Sequence, residues 1–449
     1  MNHKSGGLKI DGKTLLNHLQ ELGNTGADPV KGGRTRTALT DAEKQGRDLV
    51  VSWMKALDLV IRIDQIGNIF GTLPSVSGNS DTAPLMIGSH IDTVINAGAL
   101  DGCYGVLSGL AVVRAFREAG VLPSRPITVA AFTNEEGVRF HPDMMGSLVY
   151  AGGYPLEDAL NAVATDGAVL RDELERAGYA GSMVPGSIVP HEYLELHIEQ
   201  GPVLEAEGLQ IGVVESLQGI SWQKITITGT ANHAGTTPTR LRHDAGYAAA
   251  KLITFLREGI SQKNGATLTT VGTIAFEPNA VNVIPGSATF TIDMRDPDEE
   301  RLQWAEGQIR DYLAVLSEQE EVTVSARQLA RFQPVVFDKT LVSCVENAAR
   351  AAGSAYRRMP SGAGHDAQMI ARIAPAAMIF VPSKNGISHN PAEYTEDADL
   401  IRGAQVLLDT VNYFTAAGCL PRLTSSQTAT QTISAPRKKF GLSVSSSTR

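Results

Sequence analysis

Histidines and carboxylates recur at the ends of apolar runs in this chain, where their side chains could serve one chemistry. GSHID ends such a run with His90 and Asp92 two residues apart, so both side chains can point to one side, one binding a metal while the other orients it. In ALDGCYG, Asp101 precedes a glycine and an apolar helix, which is also the ordinary place of a helix N-cap. TNEEG sets Glu135 beside Glu136, and adjacent like charges at a strand end cost energy unless a cation or a proton offsets them. His197 lies within the alternating run ELHIEQG, where a lone histidine is commonly a satisfied core residue; His389 follows a strand and a glycine-containing turn in GISHNP, commonly just loop. Each segment alone reads as ordinary structure. Together the named residues offer imidazole nitrogens and carboxylate oxygens and no thiolate, the donor set of a borderline divalent metal. An aspartate can bridge two ions, and metals about 3.5–4 Å apart polarise a carbonyl and bring the pKa of a bound water toward roughly 7.

Such residues need a scaffold that gathers strand ends. PLMIGSH (84–90), ITVAAFTNEE (127–136) and YLELHIEQG (193–201) predict buried strands, each ending in polar, metal-capable residues, the place where ligands collect in open α/β sheets. From Gly219 the pattern changes to strand SWQKITITGT, helix DAGYAAAKLITFLREGI, strands TLTTVGTIAF and SATFTIDMRD, helix EERLQWAEGQIRDYLAVL and strand VTVSARQL. That order, βαββαβ, is the ferredoxin-like α+β unit, read as an insertion over 219–331. After Phe332 the α/β pattern resumes with helix LVSCVENAARAAG, strand AAMIFVPS and a last helix near 396–416. The catalytic domain is therefore expected to be discontinuous, 1–218 and 332–418. The Ser/Thr-rich stretch 421–449 has few bulky apolar residues to offset ordering entropy and is expected to be a flexible tail.

The bulk composition agrees with two cores: 449 residues exceed what one core usually supports, and 43% hydrophobic with 19% charged residues is ordinary for a soluble globular chain. With 39 lysines and arginines against 48 aspartates and glutamates, a formal charge of −9, the chain is a poor polyanion binder, and nucleic acid is not an expected partner. Cys103, Cys344 and Cys419 are odd in number and form no CxxC pair, which argues against a disulfide framework and for a reducing compartment. MNHKSGGLKI has no apolar stretch to act as a signal-peptide core, and no apolar run reaches membrane-spanning length. A cytoplasmic location with no membrane partner is expected.

In order along the chain, GSHIDT, LDGCYGV, NEEGVRF, LHIEQGPVLE, NHAGTTP, NVIPG, DMRD, SGAGHDA and MIFVPS..GISH resemble the amidase/hydantoinase/carbamoylase family of dinuclear-metal hydrolases, grouped with the aminoacylase and carboxypeptidase superfamily. The match spans about residues 30–415. The resemblance implies a metallopeptidase-like catalytic domain with a mixed sheet, and an inserted ferredoxin-like domain that serves as lid and dimerisation unit. It implies two divalent ions per subunit, zinc, manganese, cobalt or nickel, one held by His90, Asp101 and His197, the other by Asp101, Glu136 and His389. Asp92 would hydrogen-bond His90, and Glu135 would be the general base. His233 of NHAGTTP resembles an oxyanion-stabilising donor that reaches the partner subunit's site in a homodimer. Asn282 and Arg295 look like the substrate-binding pair, since an arginine fork suits a carboxylate, and Gln200, Gly364 and His365 would line the pocket. Thr239 and Ala377 depart from the family pattern, which has Met and Gly there; neither is a ligand position.

The implied reaction is hydrolysis of the carbamoyl C–N bond of an N-carbamoyl-L-amino acid, or a closely related ureido carboxylate, to amino acid, ammonia and carbon dioxide. Close alternatives are an allantoate amidohydrolase, a β-ureidopropionase, a ureidoglycolate hydrolase, and a dipeptidase or aminoacylase that keeps the metals but cleaves a peptide or acyl amide. A non-catalytic binding protein on the same scaffold would have no use for Glu135.

Overall fold

The computed structural model describes residues 7–79, 81–164 and 166–416. The stretch 421–449, read above as a tail, and residues 417–418 lie outside them. Helices α1 (Gly12–Gly23) and α2 (Asp41–Ala56) open the chain, capped by Asp11 and Thr40, whose side chains accept from backbone amides of the first turn. An antiparallel pair, β1 (Val60–Ile63) and β2 (Ile69–Leu73), leads to β3 (Leu85–His90), α3 (Cys103–Glu118) and β4 (Ile127–Phe132). Short helices α4 (Met145–Tyr150), α5 (Leu156–Leu160) and α6 (Leu170–Ala177) precede β5 (Glu192–Ile198), and α7 (Val203–Ala206) precedes β6 (Ile211–Leu217). A second set follows: β7 (Gly219–Thr228), β8 (Asn232–His233), α8 (Ala245–Phe255), α9 (Gln262–Asn264), β9 (Leu268–Glu277), β10 (Val283–Ile284), β11 (Ser287–Asp296), α10 (Glu299–Gln319) and β12 (Thr323–Phe332). The chain returns through β13 (Val335–Val336), α11 (Lys339–Ala351), β14 (Tyr356–Ser361), α12 (Asp366–Ile370), β15 (Ala376–Val381) and α13 (Asp397–Thr415).

The large sheet has the order β1-β2-β4-β3-β5-β15-β6-β13, with β14 parallel to β6, and is the mixed sheet of an α/β fold. Its centre, β4-β3-β5-β15, is parallel throughout. Every residue of those four strands is buried, which is why they read as nearly continuous apolar runs rather than alternating ones. Parallel strands open their carboxyl ends on one edge, so loops far apart in sequence meet there. Helix α3 lies close against this centre: a Cβ on Gly105 would sit 2.5 Å from the Leu196 carbonyl oxygen, so the contact requires glycine.

Two strands stop short of their predicted ends. The run over 127–136 leaves the ladder after Phe132, where side chains replace sheet partners: Thr133 N donates to Asn68 Oδ1 at 2.9 Å, and Glu135 N and Glu136 N to the Asp92 carboxylate at 3.2 Å each. The run over 193–201 ends at Ile198, and Gln200 takes a left-handed conformation, φ 58°. The helix predicted from Asp244 widens after Phe255 into a π turn, Leu256–Ser261.

The second sheet has the order β12-β7-β11-β9, antiparallel at every step. Helices α8 and α10 close a core of its own around Ile225, Ile227, Phe290, Ile292, Leu302 and Ile309, separate from the larger core of the first sheet. Among the described residues, no helix is long and apolar enough to cross a membrane.

Candidate metal centre and substrate cleft

At the carboxyl edge of the parallel strands, β3 ends on His90, β5 carries His197 one residue before its end, and the loops after β4 and β15 carry Glu135, Glu136 and His389. Asp101, in the turn before α3, sits among them. Its Oδ1 lies 3.2 Å from His197 Nε2 and 3.6 Å from His90 Nε2; its Oδ2 lies 3.1 Å from His389 Nε2, which is 3.6 Å from Glu136 Oε2. The two oxygens of one carboxylate thus face two groups, His90–Asp101–His197 and Asp101–Glu136–His389, each with its donor atoms within 4.8 Å of one another. A third group of that span, Glu195–His197–His365, is already engaged: Glu195 accepts from Ser89 Oγ, Tyr193 OH and Ala367 N, and His365 Nε2 pairs with Ser361 Oγ at 3.0 Å.

Backbone bonds fix the imidazoles. His90 Nδ1 faces the Asp92 carbonyl oxygen at 3.0 Å, and His197 Nδ1 the Ile198 carbonyl at 2.9 Å. A carbonyl only accepts, so Nδ1 carries a proton in both rings, and Nε2 is the atom left facing Asp101. This corrects the expectation for Asp92: its carboxylate stands 3.7 Å from His90 Nδ1, and its closer bonds go to the amides of Glu135 and Glu136. Asp92 positions His90 through its own main chain and the two glutamates through its side chain. Glu393, which sequence patterning gave no reason to single out, does a similar service. Its Oε1 accepts from Leu100 N and Asp101 N, and its Oε2 from Ser388 Oγ, which also donates to Asp101 Oδ2 at 3.2 Å.

The electrostatics are those of crowded carboxylates that the neighbouring imidazoles offset only in part. Burial alone would raise the Asp101 carboxyl, but hydrogen bonds to His197, His389 and His90 outweigh it and hold the group well below the usual carboxylate range. Glu136 is pushed up to about 8, by burial and then by Asp101. Burial likewise pushes Glu135 well above the carboxylate range; His90 opposes the rise, while Asp366, Glu136 and Asp92 add to it. His389, bonded to Asp101, is raised to about 9. Glu136 Oε1 and Gln200 Oε1 are buried with no hydrogen-bond partner, although Gln200 Nε2 donates to Asp101 Oδ2 at 2.9 Å. Unpartnered oxygens amid imidazoles and crowded carboxyls fit a divalent cation, which would satisfy the oxygens and remove the pressure toward protonation.

The cluster opens into a cleft of about 650 Å³ between the two sheets, lined also by Gln200, Arg295, Gly364 and His365. Arg295 lies one residue before the end of β11, held by Asp293 two residues earlier (Nη2 to Oδ2, 3.0 Å) and by the Gly362 carbonyl (Nη1 to O, 2.7 Å). His233 and Asn282 are elsewhere: exposed and outside the cleft lining, with His233 on β8 paired to Val283 and Asn282 just before β10, where Ala234 N donates to the Asn282 carbonyl at 3.0 Å. A second concavity, about 630 Å³ between α10 and β12, is lined by no histidine. The lining residues Met144, Trp222, Phe332 and Gln368 carry no motif and became legible only when two sheets met over them.

Residues 86–413 match peptidase family M20/M25/M40. The N-carbamoyl-L-amino-acid amidohydrolase of Rhizobium meliloti is 39% identical over 403 residues, covering 90% of this chain and 96% of the relative. The allantoate amidohydrolase of Escherichia coli (strain K12) is 35% identical over 390 residues, covering 86% and 94%. The crystal structure of an amidase of the hydantoinase/carbamoylase family from Burkholderia multivorans superposes with a TM-score of 0.87 at 42% identity, covering 90% of this chain and 98% of that one.

Gly102, with φ 64°, turns the chain between Asp101 and α3, and a Cβ there would lie 2.4 Å from His90 Nε2 and Cε1. Gly102→Ala is therefore expected to displace the His90 ring and weaken metal binding at least about tenfold, roughly 1.4 kcal/mol, by competition with a chromophoric chelator, with the far-UV circular dichroism retained. Unchanged affinity would remove His90 from the ligand set.

Proposed function

We propose that this chain, which belongs to peptidase family M20/M25/M40 and groups with its hydantoinase/carbamoylase amidases, is a metal-dependent amidohydrolase that cleaves the carbamoyl C–N bond of N-carbamoyl-L-amino acids. The observation that carries this reading is the shared cleft: an arginine fork, Arg295, opens into the same space as the histidine–carboxylate cluster and Glu135. Relatives bearing the names N-carbamoyl-L-amino-acid amidohydrolase and allantoate amidohydrolase support the same bond class.

In this reading His90, Asp101 and His197 hold one divalent ion and Asp101, Glu136 and His389 a second, and zinc, manganese, cobalt or nickel all suit such donors. When bound, the ions supply polarisation of the carbamoyl oxygen and acidification of a water molecule. The chain's own groups do the rest. Arg295 binds the substrate carboxylate and, with Gln200, Gly364 and His365 around it, sets the carbamoyl group against the cluster, a positioning effect that lowers the barrier without new chemistry. Glu135 takes the proton of the attacking water on its carboxylate and returns it to the leaving nitrogen as the C–N bond breaks; the carbamic acid left behind loses carbon dioxide as its remaining C–N bond breaks, so water and carbamoyl amino acid become amino acid, ammonia and carbon dioxide. Its burial against other carboxyls, which raises its proton affinity, suits a group that must accept a proton and then give it up.

We place His233 and Asn282 in the site of a second copy of the chain: both are exposed and neither lines the cleft of its own subunit, which favours a homodimer formed through residues 219–331. We place the enzyme in the cytoplasm, a reading supported by the unpaired thiols of Cys103 and Cys344.

A panel of N-carbamoyl-L-amino acids, allantoate, N-carbamoyl-β-alanine, ureidoglycolate, N-acetyl amino acids and dipeptides tests the assignment, with the carbamoyl-L-amino acids expected to give the highest kcat/KM. Their methyl esters should react at least about tenfold less efficiently, about 1.4 kcal/mol of transition-state stabilisation; equal acid and ester rates would remove Arg295 from substrate binding. Glu135→Gln should keep its metal content and turn over about 10²–10⁴-fold more slowly, the usual contribution of a positioned proton carrier. Metal loss in that variant, read by atomic emission, would exchange the roles of Glu135 and Glu136. For the dimer, mixing His233→Ala with Asp101→Ala protein should restore part of the activity as subunits exchange. No recovery from demonstrably mixed dimers would mean that each site is completed within one chain.

A further inference from the structure

The outer face of the second sheet changes character along its length. Residues paired across antiparallel strands share a face, so Ile220, Arg295 and Phe332 form one row across β11, β7 and β12, and Trp222, Asp293 and Ala330 the next. Beyond them the rows turn polar: Lys224 with Thr291 and Arg327, Thr226 with Thr289 and Ser325, Thr228 with Ser287 and Thr323. Large apolar residues thus occupy this face only in the two rows that line the cleft, beside Arg295. Trp222 and Phe332 are 41% and 38% exposed there, an expense of apolar surface to water that the polar end of the sheet avoids. The other side of the cleft adds apolar side chains, Met144 and Leu148 from α4 and its cap and Met369 from α12, among polar ones that include Asp143, Gln368 and Arg372.

We propose that this cleft holds a side-chain subsite built from Ile220, Trp222 and Phe332 on one wall and Met144, Leu148 and Met369 on the other, and that the preferred substrates carry a large aliphatic or aromatic side chain at the α-carbon. The proposal rests on the carbamoyl-amino-acid reading above and sharpens it. Arg295 shares a row with Ile220 and Phe332, so a carboxylate held by its fork sets the α-carbon next to the apolar surface. Burying such a side chain between the walls removes apolar area from water on both partners, which a hydrogen atom at that carbon cannot do. A ureido group there would leave its donors and acceptors facing Trp222, Leu148 and Met369, a mismatch that costs more than a missing methylene.

The test is kcat/KM of the metal-loaded enzyme for the N-carbamoyl derivatives of L-phenylalanine, L-leucine, glycine and L-aspartate, and for allantoate. The phenylalanine and leucine derivatives should exceed that of glycine at least tenfold. In Trp222→Ala and in Phe332→Ala, both exposed positions, the phenylalanine-to-glycine ratio should fall at least fivefold, while Lys224→Ala, two residues along the same face, should leave the ratio as it was. Hydrolysis of the carbamoyl amino acids with glycine equal to phenylalanine, or with aspartate preferred through Arg372 at the same wall, would overturn the subsite and leave the carbamoyl reading standing. A ratio unmoved by both aromatic substitutions would do the same. Hydrolysis of allantoate alone would overturn both.

Discussion

The crowding of negative charge around Asp101 is the constraint from which the rest of the site follows. Four carboxylates, Asp92, Asp101, Glu135 and Glu136, are drawn to one buried edge by the ends of strands that are themselves wholly buried. Desolvated like charges cannot all remain ionised without a counter-charge. Three imidazoles at 3.1–3.6 Å from Asp101 stabilise that carboxylate and leave Glu135 and Glu136 raised. An arrangement that a cation or a proton would relieve is unfavourable as pure structure, and such perturbed groups cluster at functional sites.

Holding such a cluster in place falls largely to the main chain. Asp92 and Glu393 each spend their carboxylate on two backbone amides: those of Glu135 and Glu136 in one case, of Leu100 and Asp101 in the other. These bonds replace ladder partners where strand and turn end, so the loops are ordered without continuing the sheet. Asp92 thereby sets the spacing of two carboxylates it does not touch side chain to side chain. His90 and His197 take their orientation from carbonyls one or two residues away. These side chains are therefore aimed by elements that share the rigidity of the parallel sheet.

The second sheet contributes by position. Its alternation turns one face to α8 and α10 and the other outward, and the outward face reaches the cluster only at one end. There a single row carries both the guanidinium of Arg295 and apolar neighbours, so charge and apolar surface stand side by side over the cleft. The Arg295 contact with the Gly362 carbonyl ties that row to the loop before α12. Whatever moves one sheet relative to the other moves the fork relative to the cluster.

The sequence by itself showed which histidines and carboxylates stand at the ends of apolar runs and the layered character of the fold. Fully buried parallel strands must be apolar on both faces, so LMIGSH, ITVAAF and AAMIFV were readable, and the polar residues at their ends stood out against them. The change of pattern at Gly219 and Phe332 coincides with the first and last residues of the second sheet because alternation and helix periodicity are local properties. Where the strands stop was not readable, since Thr133 and Glu135 leave the ladder for Asn68 and Asp92, partners 65 and 43 residues away. Glu393 has no local pattern at all; its role exists only because its loop folds back onto residues some 290 positions earlier. The same holds for the cleft walls. Trp222 and Phe332 look like any strand residues until a second sheet is set above α4 and α12, because a cavity is a property of what lies across it, and that is decided by tertiary packing.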